Sequence, residues 1–145
     1  MEIDLALLAD AATIDAAGKL NILGVFDRIS VSKFPAPHPH VSLVLRFKAS
    51  LHEGGSHKVE IVLNDPDGNE VIRESKNLPF GPMGGMGGGP VRIPFVLNIN
   101  RLVFPKPGGY SFQVFLDEEH KISLPLTVHG TRPGIVAGGR PPAEA

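Results

Sequence analysis

Val41, Leu43, Leu45, Phe47 and Ala49 point one way along residues 41–49, while Ser42, Arg46 and Lys48 mostly point the other. A strand sends successive side chains to opposite faces, so a two-residue apolar period marks a half-buried sheet. The same period returns at Val59, Ile61 and Leu63, and at Val91, Ile93, Phe95, Leu97 and Ile99. It returns again at Tyr110, Phe112, Val114 and Leu116, and at Ile122, Leu124, Leu126 and Val128. Between these runs lie turn signals at His52–Ser56, Asn64–Asn69, Pro105–Gly109 and Asp117–His120, with Val71 and Ile72 on a short return strand. The Asn64–Asn69 signal is the strongest, with Asp65 first, Pro66 second and Gly68 fourth. About eight short strands with turns spaced by roughly 8–12 residues predict an all-β fold, a single antiparallel β-sandwich of the immunoglobulin-like kind. No helical crossover separates the runs, which excludes an α/β sheet.

The first third reads less simply. Ile3, Leu5, Leu7 and Ala9 alternate with Glu2, Asp4, Ala6 and Leu8, the pattern of a strand. A helix over Asp10–Ala17, capped by Gly18, competes because alanine favours helix. Asp15-Ala16-Ala17-Gly18 also fits a type I turn, and that reading is preferred. Leu20–Phe34 is apolar on both faces, which predicts a central strand covered on both sides, or a bulge at Gly24 that swaps faces. Pro35, Pro37 and Pro39 then predict an extended, polyproline-like connector.

The expected domain is 1–129, interrupted by a flexible Gly/Pro loop at 79–90 and followed by a flexible tail at 130–145. A chain of 145 residues buries enough surface to fold without disulfides or a structural metal. Cysteine is absent, which excludes thiol catalysis and thiolate zinc sites. A formal charge of −1 argues against nucleic acid and anionic membrane as partners. Met1-Glu2-Ile3-Asp4 is acidic where a signal peptide is basic, and no apolar run approaches the ~20 residues of a membrane span, so a cytoplasmic protein is expected.

Leu7-Leu8-Ala9-Asp10-Ala11-Ala12-Thr13, followed by Gly18 through Asp27 (GKLNILGVFD), resembles the start of a widespread bacterial family of unknown function. Asn98 through Pro105, with Pro107-Gly108-Gly109-Tyr110, is similar to that family's C-terminal half. The resemblance covers most of 1–129 and implies a small β-sandwich; it implies no catalytic residue. Gly84–Gly89 and the tail look like additions to the family pattern. The Pro-Gly-x-Tyr entry also looks like the corner of immunoglobulin-like domains, where a tyrosine hydroxyl closes the turn.

Two clusters are candidate metal sites. His38 and His40 stand two residues apart, a spacing that lets two imidazoles face one way on a strand, with His52 and His57 nearby. Solvated histidines between prolines are the competing account. Asp10, Asp15 and Asp27 would suit calcium if three loops converged at one end of a C2-like sandwich. Turn formation and pairing with Lys19 or Arg28 compete with that. Asn98, Asn100 and Arg92 share one strand face, and Gly84–Gly89 lacks the strand, helix and lysine of a phosphate loop. No triad or carboxylate pair stands out by spacing, so no cofactor and no catalytic residue is expected. The chain reads as a non-enzymatic module that binds a protein partner or itself. A metal-dependent β-sandwich and a subunit of a larger assembly are the alternatives.

Overall fold

The computed structural model describes residues 1–80 and 89–131. Nine strands form among them: β1 (Glu2–Ile14), β2 (Leu20–Phe26), β3 (Arg28–Val31), β4 (Ala36–Ala49), β5 (Gly55–Asn64), β6 (Glu70–Phe80), β7 (Val91–Phe104), β8 (Gly108–Leu116) and β9 (Glu119–Gly130). A single 3-10 turn, Leu51–Glu53, separates β4 from β5. The first sheet has the order β2-β1-β4-β7 and the second β3-β9-β8-β5-β6. All pairings are antiparallel except β3 with β9, which is parallel.

The core lies between the sheets. Leu43, Leu45, Phe47 and Phe104 from the first meet Ile61, Leu63, Tyr110 and Phe112 from the second, all fully buried or nearly so. Phe104 stands edge-on to Tyr110, with ring centroids 5.1 Å apart. The Tyr110 hydroxyl donates to the Lys106 carbonyl at 2.6 Å, closing the corner that Pro107 and Gly108 open. Burial raises its pKa.

Residues 10–17 form no helix. β1 continues to Ile14, and Asp15 then makes the turn expected of it: its Oδ1 accepts from the amides of Ala17 and Lys19, both at 2.9 Å. Asp65 repeats the arrangement between β5 and β6, accepting from Asp67 and Asn69 at 2.9 and 2.8 Å. Gly18 and Gly68 take the left-handed position that both turns require, at φ +79° and +85°.

Four expectations need correction. Leu20–Phe34 is not one central strand: β2 ends at Phe26 as an edge of the first sheet, and β3 begins at Arg28 as an edge of the second. A chain that changes sheets shows apolar residues on both apparent faces. No bulge forms at Gly24, since the β1–β2 register is constant on either side of it. Pro37 and Pro39 do not interrupt structure but lie within β4. Beyond Ser42, towards residue 36, β4 pairs only with β7 among the described residues, and an edge accepts a residue without an N–H. Finally, β6 is eleven residues long and reaches Phe80, because an edge strand with polar residues on both sides carries no alternation to read. The loop expected from Pro79 therefore starts later; residues 81–88 and the tail from 132 lie outside the described residues. No helix among the described residues is long and apolar enough to cross a membrane.

Candidate functional site

β1 and β2 build a part of the surface that departs from an ordinary sheet. The register pairs Val25 with Ala9 and Leu23 with Ala11, so these four side chains share one face. Leu8, one residue from Ala9, belongs to the core cluster, which places that face outward. Leu23 is 72% exposed and Val25 63% exposed, while their partners are short alanines. Gly24 between them has φ +72°, and a Cβ there would lie 2.3 Å from Oδ2 of Asp10. The glycine thus leaves the inward side of β2 to the Asp10 carboxylate. An open cleft of about 420 Å³ adjoins this edge, lined by Ala6, Leu7, Leu8, Val25, Phe26, Asp27, Leu124 and Pro125.

The outward face of the same sheet continues as a polar ladder on β4 and β7. His40 Nδ1 lies 2.8 Å from the side-chain oxygen of Asn100, and its Nε2 lies 3.0 Å from the Ser42 hydroxyl. Ser42 Oγ is also 2.8 Å from Asn98 Oδ1, so its single proton serves one acceptor or the other. A serine, a histidine and an amide in sequence are the parts of a nucleophile, its base and an orienting group. Ser42, however, is 0% exposed. A hydroxyl with no open surface meets no acyl substrate, and the ladder's chemistry is that of a polar stripe. At the far end of the face, Asp4 joins Arg46 and Arg92, each through Nε at 2.8 Å. Arg46, through its side-chain hydrogen bond, is the first cause of a lowered Asp4 pKa.

The candidate metal ligands are dispersed. His38 does not face the same way as His40: its ring lies 6.2 Å from that of Phe26 and 6.5 Å from that of the fully buried Phe104. The reason is a face reversal between them. Ile99 and Leu102 are both buried although three residues apart, and Arg101 between them has φ +57°. Burial lowers the pKa of His38. Asp15 is spent on its turn, Asp10 lies over Gly24, and Asp27 occupies the step between sheets, where its carbonyl accepts from Thr127 at 3.0 Å. Among the described residues, no three His, Cys, Asp or Glu side chains come together in a way that would hold a metal.

A further cluster gave no signal in spacing. His57 Nδ1 is 2.5 Å from Asp117 Oδ2 and its Nε2 is 2.6 Å from the Glu53 carbonyl. Both partners accept only, so both ring nitrogens can donate when the imidazole is protonated, and the site favours the cation. The Asp117 hydrogen bond raises the His57 pKa, and the same contact lowers that of Asp117. Asp117 and Glu118 form the two-residue turn between β8 and β9, both with positive φ, and Asp117 Oδ1 also accepts from the Lys58 amide at 2.9 Å. These residues are sixty positions apart in sequence, which is why no local pattern announced them.

Comparison with known proteins places this architecture. A model for a family of unknown function (DUF6941) matches residues 4–129. No curated protein matches the chain. Among solved structures, the chain is similar to the Pseudomonas fluorescens alkylpurine DNA glycosylase AlkC bound to DNA containing an abasic site analog. The TM-score is 0.50 at 11% identity, over 88% of this chain and 30% of that one. The chain therefore spans under a third of that enzyme's length, and at this identity the likeness is one of fold alone.

Proposed function

The chain belongs to the family of unknown function DUF6941, and we propose that it acts as a non-enzymatic protein-binding module whose contact surface is the β1–β2 edge of the first sheet. The observation that carries this reading is the exposure of Leu23 and Val25, two large apolar side chains on an edge strand, above a floor of alanines. Apolar side chains that gain nothing from the fold are what a binding surface supplies, and an edge strand adds backbone groups for a partner strand. The adjoining cleft extends the same surface towards Leu124 and Pro125. We read the scaffold as immunoglobulin-like, on the Tyr110 corner and the two facing sheets. Nucleic acid is the less favoured partner: Arg46 and Arg92 are both spent on Asp4, and Arg73 on Glu60 and Glu70.

The test is a photo-crosslinking residue in place of Leu23, activated in living cells of the source organism. Reproducible protein adducts, lost when the crosslinker is moved to exposed Glu74 on β6, support the reading. The absence of any protein adduct at position 23 removes it.

A further inference from the structure

Four strands end the two sheets: β2 and β7 in the first, β3 and β6 in the second. β7 carries Arg92 and Arg101, β6 carries Glu70, Arg73, Glu74 and Lys76, and β3 carries Arg28. Charges and prolines of this kind are how native edges avoid pairing with another chain. β2, Leu-Asn-Ile-Leu-Gly-Val-Phe, has no charge and no proline. Its charges stand just outside: Lys19 before it and Asp27 after it, both exposed. Neither forms an ion pair among the described residues.

We propose that β2 pairs antiparallel with β2 of a second copy of this chain, about a two-fold axis through Leu23, joining two first sheets into one. The proposal rests on the binding reading above and names its partner. Self-complementarity selects the register. Centred on Leu23, the pairing sets Lys19 opposite Asp27 of the other copy at both ends, Asn21 beside Val25, and Leu23 beside Leu23. Centred one residue either way, Lys19 faces Val25 or Ile29 and both charge pairs are lost. An isologous contact of this kind closes on itself and stops at a dimer.

The backbone agrees. The Asp15 amide donates to the Lys19 carbonyl at 2.9 Å, and pairs in an antiparallel ladder alternate between bonded and non-bonded. Counting along the constant register, the odd residues of β2 bond to β1. Leu20, Ile22 and Phe26 then turn their N–H and C=O groups to the free side, and Leu23 meets its copy at a non-bonded position, where side chains approach most closely.

The chain has no cysteine, so Leu23→Cys introduces a single thiol. Non-bonded partners have Cα atoms about 4.5 Å apart, within disulfide range. Under mild oxidation Leu23→Cys should form a covalent dimer, and Val103→Cys on the opposite edge should not. In sedimentation equilibrium the wild-type chain should be dimeric. Lys19→Asp and Asp27→Lys should each weaken the dimer about tenfold, and the double exchange should restore it. A wild-type chain monomeric at every concentration overturns the proposal, as does a dimer that neither forms the Leu23→Cys disulfide nor regains affinity on the double exchange. If position 23 instead crosslinks a different protein, the self-pairing fails and the binding reading stands; if it crosslinks nothing, both fail.

Discussion

The Asp10 carboxylate fills the space that a side chain on Gly24 would need, with Oδ2 2.3 Å and Cγ 2.8 Å from the position of a Cβ. Two residues on neighbouring strands thus share one volume, and the glycine's φ of +72° belongs to the same arrangement. The glycine sits between the two most exposed large apolar residues among those described, so the contact sets the path of the proposed contact strand.

Gly24→Ala should therefore destabilise by about 1–2 kcal/mol from the left-handed backbone alone, with a further loss from displacing Asp10. Thermal unfolding measures the sum. Adding Asp10→Ala to Gly24→Ala should recover the steric part and leave the backbone part, so the double variant should melt between the single variant and wild type.

Tyr110→Phe keeps the ring in the core and removes the donor that closes the Lys106 corner. The carbonyl loses a partner at a part-buried site, which should reduce stability by about 1–3 kcal/mol in a urea titration with unchanged slope. A loss below about 0.3 kcal/mol would mean that water replaces the hydroxyl.

His57 and Asp117 together contribute most to stability in mildly acidic solution. His57 has a raised pKa, so its contribution is complete below its ordinary 6.5 and is lost as pH rises through the raised value. Asp117 has a lowered pKa, so its contribution is complete above its ordinary 3.8 and is lost as pH falls through the lowered value. Their shared contribution is fullest between the two. The pair is partly exposed, and we expect His57→Gln to remove at most about 1 kcal/mol there and much less once the pH has risen beyond the raised His57 pKa. Denaturant midpoints of wild type and variant, measured across pH, check both the sign and the window.

Leu23→Lys and Val25→Lys should each change the stability of the monomer by less than about 0.5 kcal/mol, because in the single chain the side chains they replace are mostly in water. Leu43→Ala, in the core, should cost about 2–5 kcal/mol. A large loss at Leu23 in the monomer would show that the residue serves the fold and would weaken its role as a contact.

Much of the fold was legible because alternation survives wherever a strand has one wet and one dry face, as Val41–Ala49 and Tyr110–Leu116 do. The family was legible in Leu7–Thr13 and Gly18–Asp27, and the matched span, 4–129, agrees with that resemblance. β6 was mostly invisible because its edge position leaves polar residues on both sides. The step at Asp27 was invisible because a strand that changes sheets looks like a strand buried on both faces; for the same reason Leu23 and Val25 read as covered, and they are the most exposed large apolar side chains among the described residues. The spacing of His38 and His40 allows two imidazoles to face one way only on a regular strand, and the Arg101 backbone breaks that regularity. Ser42 gave no signal, since its partners Asn98 and Asn100 lie on another strand.

The parallel pairing of Arg28–Val31 with Thr127–Gly130 joins segments about a hundred residues apart. During synthesis β3 emerges early and waits for β9, the last of the described strands to leave the ribosome. Through that interval the edge that becomes the border of the second sheet has no neighbour, and β2, tethered to it by Asp27 alone, is anchored only through its hairpin with β1. The first sheet can assemble on the nascent chain, while the second closes only when residue 130 is free. A stop codon placed ahead of Thr127 would therefore leave the N-terminal strands paired and the core open on one side, a species for chaperones and proteases to meet.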